Sequence, residues 1–394
     1  MVETTSRSAR VGFFLFAAHL FSIFSIAASN SLLGLCLLAA PWTVVRKPLS
    51  PPARRWLMWL GLYILFLGIS ALLAYDPGRS LWSLWSFFNF TSPVLALYVL
   101  RREQDARRVV KLVILLAALL AAAGLVQYQL GSDDLSHRIR GSLSHYMTFA
   151  GVLLIGDCLL LGWIFCGQGK RKLWAWVALV LIQLALLGSF TRNAWVAILV
   201  AVTALIVVRA PKLLLAYVPA AALLLLLAPA PVTQRILSIG DLKDPSAYDR
   251  LCMASAGLEM IADRPFFGLG PEMVSRRYTI YRHPTAPRYW VPHLHNSYLD
   301  VAAESGLVSL AAFLTLFALS AKQAWERWRG EGGSKGPRAD LWAGVLLALL
   351  AFAVAGLFEN NWADTEVQRV ALFVMVLPFC LPPGAEDAEA AESP

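Results

Sequence analysis

Long apolar runs separated by short polar breaks set the pattern of this chain. Read at about 1.5 Å rise per residue, they predict twelve membrane helices near 11–29, 31–45, 56–74, 80–100, 109–128, 144–166, 173–190, 192–209, 212–229, 297–321, 340–358 and 364–382. The expected class is an all-α polytopic membrane protein. Its parts are nine helices over 1–229, a polar loop domain over 230–296, three more helices over 297–382, and a solvated, disordered acidic tail over 383–394. Within the loop domain, Leu251, Ala254, Leu258 and Ile261 recur at helical spacing, which predicts an amphipathic helix from about Tyr248 to Ala262, capped by Ser246. Pro265 and the glycines of Pro265-Phe266-Phe267-Gly268-Leu269-Gly270 end that helix and turn the chain.

Composition agrees. Of 394 residues 58% are apolar and 15% charged, with a mean hydropathy of +0.61, too little polar surface for a water-soluble fold of this size. The formal charge of +9 is no sign of nucleic acid, because the basic residues alternate with the apolar runs. Twenty-one of the 34 Lys and Arg fall in one alternate set of connections, and the opposite short connections hold only Arg79, Arg138, Arg140, Arg192 and Arg369. Positive residues stay cytoplasmic, so both termini are expected inside and the 230–296 loop outside. The first run resembles a secretory signal but is long for one. There is no CxxC, no HExxH and no Walker loop, so neither metal nor nucleotide chemistry has support, and cysteine placement implies no disulfide framework.

Three helices then begin on the outer side, and each start is polar. Arg138, Arg140 and His145 precede the helix at 144; Ser189-Phe190-Thr191-Arg192-Asn193 opens the one at 192; His293-Leu294-His295-Asn296-Ser297 opens the one at 297. Helix N-termini attract anions, and arginines there disfavour the helix itself, so an anion is expected among them. Taken singly, an interfacial arginine such as Arg79 or Arg369 reads as a side chain snorkelling to lipid headgroups. His295, just outside the start of its helix with Asn296 or Ser297 as cap, is the candidate general base, and His293 remains an alternative. Glu359, ending the helix at 340–358, could orient a histidine or hold an arginine. Asp300 and Glu304 share a face after His295. Asp157 lies in mid-membrane, where a proton relay competes with plain buried pairing. His19 and His137 read as satisfied histidines. Tyr289-Trp290 and Tyr298 fit either an interfacial belt or a sugar-stacking surface.

The combined pattern resembles the O-antigen ligase family of Gram-negative inner membranes. The residues carrying the resemblance are Ser189-Phe190-Thr191-Arg192-Asn193-Ala194-Trp195, Arg250 with Gly257-Leu258-Glu259-Met260-Ile261, Pro265–Gly270, His295-Asn296-Ser297-Tyr298-Leu299 and Glu304-Ser305-Gly306-Leu307. The resemblance implies a membrane fold of the GT-C type and a metal-independent, inverting transfer of O-antigen from undecaprenyl pyrophosphate to lipid A-core on the periplasmic face. Neither cofactor nor nucleotide takes part. It also implies His295 as base, and Arg192 and Arg250 as pyrophosphate ligands. Arg140, as a further ligand, and Glu359, as the catalytic partner of His295, match more loosely, and Arg264 and Arg288 are inferred only from their places in the loop; Asn296, His293 and Arg138 would position substrate. An O-antigen polymerase or a protein O-oligosaccharyltransferase would share this chemistry. A proton-coupled transporter using Asp157 is the reading from another class.

Overall fold

A computed structural model describes residues 7–44, 48–131, 138–167, 172–217, 219, 233–234 and 244–382. Among them there are helices and no strand: α1 (Arg7–Phe21), α2 (Ile26–Thr43), α3 (Pro51–Leu72), α4 (Pro77–Ser83), α5 (Thr91–Val99), α6 (Glu103–Gln129), α7 (Tyr146–Cys166), α8 (Leu173–Gly188), α9 (Arg192–Arg209), α10 (Pro245–Asp263), α11 (Met273–Tyr281), α12 (Ser297–Gly330), α13 (Ala339–Gly356) and α14 (Thr365–Cys380). Seven of these, α2, α3, α6, α7, α9, α12 and α13, are long and apolar enough to cross a membrane. The chain is a multi-pass membrane protein.

Boundaries differ from expectation where polar residues compete with the apolar pattern. The first break falls at Ser22–Ser25, where the Ser25 hydroxyl caps α2, and not near Asn30. The run at 80–100 is not one helix. It is α4, a tight 3-10 stretch over Leu84–Phe90, and α5, because Asn89, Ser92 and Pro93 interrupt it. The expected helix at 212–229 falls largely outside the described residues, as do the tail after 382 and His137.

α7 is the central helix, buried along nearly its whole length and packed along α13. A Cβ on Gly162 would lie 2.4 Å from the Gly344 backbone nitrogen, so two glycines set this close approach, as small residues do between membrane helices. Asp157, on α7, accepts from Gln183 on α8 at 2.7 Å, the buried pairing. His19 is likewise satisfied, by Ser29 and Ser92. Arg369 departs from its expectation. It is 1% exposed, reaching no headgroup, and donates to Asn89 at 2.8 and 3.0 Å and to Asn30.

The helix ends sort by charge. Arg107 pairs with Asp340, Arg209 donates to Phe165 and Ser334, and Arg327 and Arg338 donate to the carbonyls at Leu381 and Pro382, so these basic connections share one end of the bundle. At the opposite end α10 and α11 form a second core with Met253, Met260, Met273, Val274, Tyr278, Val291 and Leu294.

This outer core is fastened to the bundle through a break in α12. Gly306, at φ 79° and ψ 170°, takes Leu307 N–H off the Ala303 carbonyl, and it donates to Pro265 O at 2.7 Å instead. The freed carbonyls of Ala303 and Glu304 accept from Leu269 N–H at 2.9 Å and Gly270 N–H at 2.8 Å, and Ser70 Oγ also donates to Glu304 O. The Pro265–Gly270 motif is therefore the segment that satisfies a broken helix, whose buried polar groups would otherwise be costly.

Candidate functional site

α10 starts at an Asp-Pro pair. Asp244, and not Ser246, is the cap: its carboxylate accepts from Ser246 and Ala247 N–H at 3.1 Å each, and Pro245 fills the first helical position. The same carboxylate takes Arg192 at 3.2 Å, tying the first residue of α9 to the first turn of α10. The Asp244 carboxyl is pulled below its usual range: burial pushes it up, and the Ala247 N–H, Arg192 and the Ser246 N–H together outweigh that. The buried face of α10 is Asp249, Cys252, Met253, Ala256, Gly257 and Met260. The expected apolar face is displaced from it, with Leu251 and Leu258 more than half exposed.

The start of α12 is held from both sides. Asn296 caps it, accepting from Tyr298 and Leu299 N–H at 3.0 Å each, and donates to Leu357 O. Asp300 accepts from Leu294 N–H at 2.8 Å and from Asn360 at 2.5 Å. Between these anchors His295 sits in the left-handed region at φ 50°, a conformation an L-residue adopts only when its surroundings impose it. Its Nδ1 lies 2.9 Å from both Glu359 oxygens. A carboxylate there fixes the proton on Nδ1 and leaves Nε2 as the open nitrogen.

Glu359 is almost fully buried. It also accepts from Asn360 N–H at 3.1 Å, with His293 Nδ1 at 3.7 Å and Arg250 at 4.0 Å. Burial pushes this carboxyl up, but the His295 bond and charge, the His293 charge and the Asn360 N–H carry it below its ordinary value. Burial lowers His293 to about 4, with Glu359 opposing. Arg250 is lowered first by burial, with Glu359 acting against this and the charges of Arg192 and Arg288 adding to it. Guanidiniums that destabilise one another in a half-buried site invite an anion.

Two cavities meet here. One, of about 250 Å³, is lined by Arg138, Tyr146, Ser246, Asp249, Arg250, Arg288 and His295 among others. The second, of about 280 Å³, has Arg192, Asn193, Arg250, His295 and Asn296 at its polar end and Val196, Leu251, Leu299, Leu357 and Phe358 as apolar walls. Arg250 and His295 belong to both.

The structure thus brings together Arg138, Arg192, Arg250, Arg288, His293, His295, Asn296 and Glu359. Arg264 is not among them. It ends α10 fourteen residues after Arg250, about 21 Å along the axis, where it stacks on Tyr75 and donates to Leu73 O. Arg140 lines neither cavity; its neighbour Ile139 bonds to Gly188 O beside the α8–α9 turn. Tyr298 is no sugar surface, since its hydroxyl donates to Ala353 O and its ring meets Phe313. Tyr289 lies under Arg282 at 4.0 Å, mostly exposed. Sequence reasoning missed Asp244, Asp249 and Tyr146. The Asp244-Pro245 pair was a readable cap signal; nothing local marked the other two.

His293, His295 and Glu359 place one ligand atom each within 4.8 Å of one another, so the trio could hold a cation. Two features count against that use: the His293 Nδ1 lone pair receives His295 N–H at 3.3 Å, and Arg250 already presents a positive charge to Glu359.

Residues 177–314 match the family model described as O-Antigen ligase. Over this stretch the chain is similar to the O-antigen ligase family. The match runs from α8 into α12, so it spans the Arg192 turn, α10, the Pro265–Gly270 segment and His295. Arg138 and Glu359 join the site from outside the matched stretch. No curated protein matches the chain.

Proposed function

We propose that the protein is an O-antigen ligase of the bacterial inner membrane, with the twelve-span GT-C-type architecture the resemblance implies and its site on the periplasmic face. It transfers O-antigen from undecaprenyl pyrophosphate to lipid A-core without nucleotide, cofactor or metal. One observation carries the reading: His295, backed by the buried Glu359 carboxylate, and Arg250 stand in the wall shared by two cavities. The cavity with apolar walls suits the lipid carrier, its pyrophosphate against Arg192 and Arg250. The other suits the acceptor sugar.

The acceptor hydroxyl oxygen attacks the anomeric carbon while the bond from that carbon to the pyrophosphate oxygen breaks. The hydroxyl proton passes to His295 Nε2, and Glu359 stabilises the imidazolium that forms. Arg192 and Arg250 grip the departing pyrophosphate, whose charge they hold without a metal. A single displacement inverts the anomeric centre, and no second carboxylate is needed.

The test is the lipopolysaccharide of a deletion strain, complemented with the wild-type gene. Loss of the O-antigen ladder, with polymer accumulating on its lipid carrier, is the expected result. A single repeat unit on core would make the protein a polymerase, and an unchanged ladder would end both readings. Ligation by purified protein should also survive exhaustive chelation; activity restored only by added divalent cation would return the histidine–glutamate trio to metal binding.

A further inference from the structure

Asp249 has no part in the mechanism above, and its surroundings are unusual. It opens the buried face of α10, is 2% exposed, and lines the 250 Å³ cavity. Arg288 Nε approaches its Oδ2 to 2.8 Å, close enough for an ion pair but off the direction of a hydrogen bond, so neither carboxylate oxygen has a hydrogen-bond partner among the described residues. Buried carboxylates are normally saturated with donors. The Tyr278 hydroxyl, also fully buried, lacks a partner as well.

The cavity around Asp249 has the makings of a saccharide site. Tyr146 lines it with an aromatic ring held by Arg138 at 4.6 Å and the His145 ring at 4.1 Å. Ser246 supplies a hydroxyl, Arg250 and Arg288 supply donors for ring and hydroxyl oxygens, and His295 stands at the inner wall. What such a set lacks is a strong acceptor for sugar O–H groups, and Asp249 is the only carboxylate lining it among the described residues.

We propose that the 250 Å³ cavity is the acceptor-sugar pocket and that Asp249 is its specificity residue, accepting hydroxyl protons of the sugar beside the one that reacts. This rests on the ligase reading for the identity of the sugar, but the pocket itself rests on geometry. Asp249 binds and orients; it takes no proton from the attacking oxygen, which belongs to His295. Its Arg288 contact serves as a brace that keeps the carboxylate turned to the cavity in the absence of sugar.

The test uses full-length protein in nanodiscs, as wild type, Asp249→Asn and Tyr146→Ala. The probes are the soluble core oligosaccharide released from lipid A, for direct binding, and lipid-linked donor with intact lipid A-core, for turnover. An amide keeps the shape of the carboxylate but loses the charge that strengthens its hydrogen bonds. The expected result is a roughly 10–100-fold rise in oligosaccharide Kd and in the KM for lipid A-core, with donor KM and kcat within about 3-fold. Unchanged oligosaccharide binding, or a loss confined to donor KM or kcat, overturns the proposal. If Asp249→Asn fails to fold, Tyr146→Ala decides: it must weaken oligosaccharide binding too, and wild-type Kd would reject the pocket. A wild-type protein that binds the oligosaccharide through Asp249 yet ligates nothing would leave the pocket standing and remove the ligase reading.

Discussion

Replacing Gly306 by Ala should damage both the fold and the site, although the residue touches no proposed substrate. At φ 79° and ψ 170° the backbone lies in a region essentially closed to residues with a Cβ, a strain of about 1–3 kcal/mol. The new Cβ would also stand 2.0 Å from Phe266 O and 2.3 Å from its carbonyl carbon. Those are backbone atoms, so the Pro265–Gly270 segment has to move. Its three ties to the broken helix, Leu307 N–H to Pro265 O, Leu269 N–H to Ala303 O and Gly270 N–H to Glu304 O, are then weakened together. At about 0.5–1.5 kcal/mol each, they bring the total to roughly 3–7 kcal/mol. With an unfolding entropy of about 2.1 cal/mol/K per residue, that corresponds to a fall of about 4–8 °C in Tm if the chain unfolds as one unit.

The assay is thermal unfolding of purified protein in one detergent, compared with Gly61→Ala, whose Cβ would meet nothing within 4 Å and where Ala is the better helix former. Ligation by Gly306→Ala should fall as well, because the segment from His295 to Ser305 is oriented by the same ties. A Tm equal to that of Gly61→Ala would refute the claim that this staple holds the outer core to the bundle.

Other changes test the site. Arg192→Lys should lose about 10–100-fold in ligation, since an ammonium cannot make the planar two-point contact, whereas Arg264→Lys, away from both cavities, should stay within about 3-fold; equal behaviour of the two would return Arg192 to an interfacial role. His295→Ala and His295→Gly should both be inactive, but the Gly variant should be the more stable by about 1 kcal/mol because φ is positive there; a less stable Gly variant would contradict the left-handed assignment. Stability should depend on pH through His293: burial holds its folded value at about 4, so between roughly 6.5 and 4 the unfolded chain binds a proton that the folded one does not. Stability therefore falls as pH drops through that window, by up to about 1.4 kcal/mol per unit. Asp364, raised to about 7 by burial in spite of Thr148, contributes with the opposite sign, and Glu359, lowered from its ordinary 4.5, begins to lose its contribution only at the acid edge of the window. The difference between wild type and His293→Asn isolates the histidine, and identical pH slopes for the two would refute its burial as a neutral ring.

The two ends of the bundle were legible in the sequence because charge alternates with apolar runs, and the Arg107–Asp340 pair and the carbonyl contacts of Arg209, Arg327 and Arg338 gather where that alternation put them. His295, Arg192 and Glu359 were legible too, as polar residues at the ends of apolar segments, where a helix terminus concentrates chemistry, while Arg250, inside the polar loop domain, was marked only by the family resemblance. Arg264 was misread because its loop position says nothing about which end of α10 it occupies. Arg369 was misread because an arginine near a helix start looks interfacial, and only packing reveals that Asn89 and Asn30 enclose it. The α10 face was displaced because Leu251 and Leu258 satisfied the helical period, while the smaller Cys252, Ala256 and Gly257 are what allow close packing against the loop. Periodicity records where apolar residues lie, and it does not distinguish a face that meets protein from one that meets a groove.

Most of the irregular backbone among the described residues gathers at one end. Phe190, Glu272 and His295 are the non-glycine residues with positive φ, and Gly268, Gly270 and Gly306 share that sign. All six belong to the end of the bundle that carries α10, whereas Gly332 and Gly333 make a turn at the basic end. Within hydrocarbon, an exposed N–H or C=O has no partner, so departures from the helix are confined to places where protein or water covers them. Here the cover and the function coincide. The Pro265–Gly270 segment saturates the break at Gly306, Asp300 and Asn296 saturate the approach to α12, and the space left over is the pair of cavities against His295. A straight α12 would have needed neither Gly306 nor the motif that crosses it, but it would have offered no exposed carbonyls to which the outer core could attach. The unusual backbone is therefore part of how a polar site is built at the end of an apolar bundle: the groups that the breaks release are the anchors for the elements that close the site.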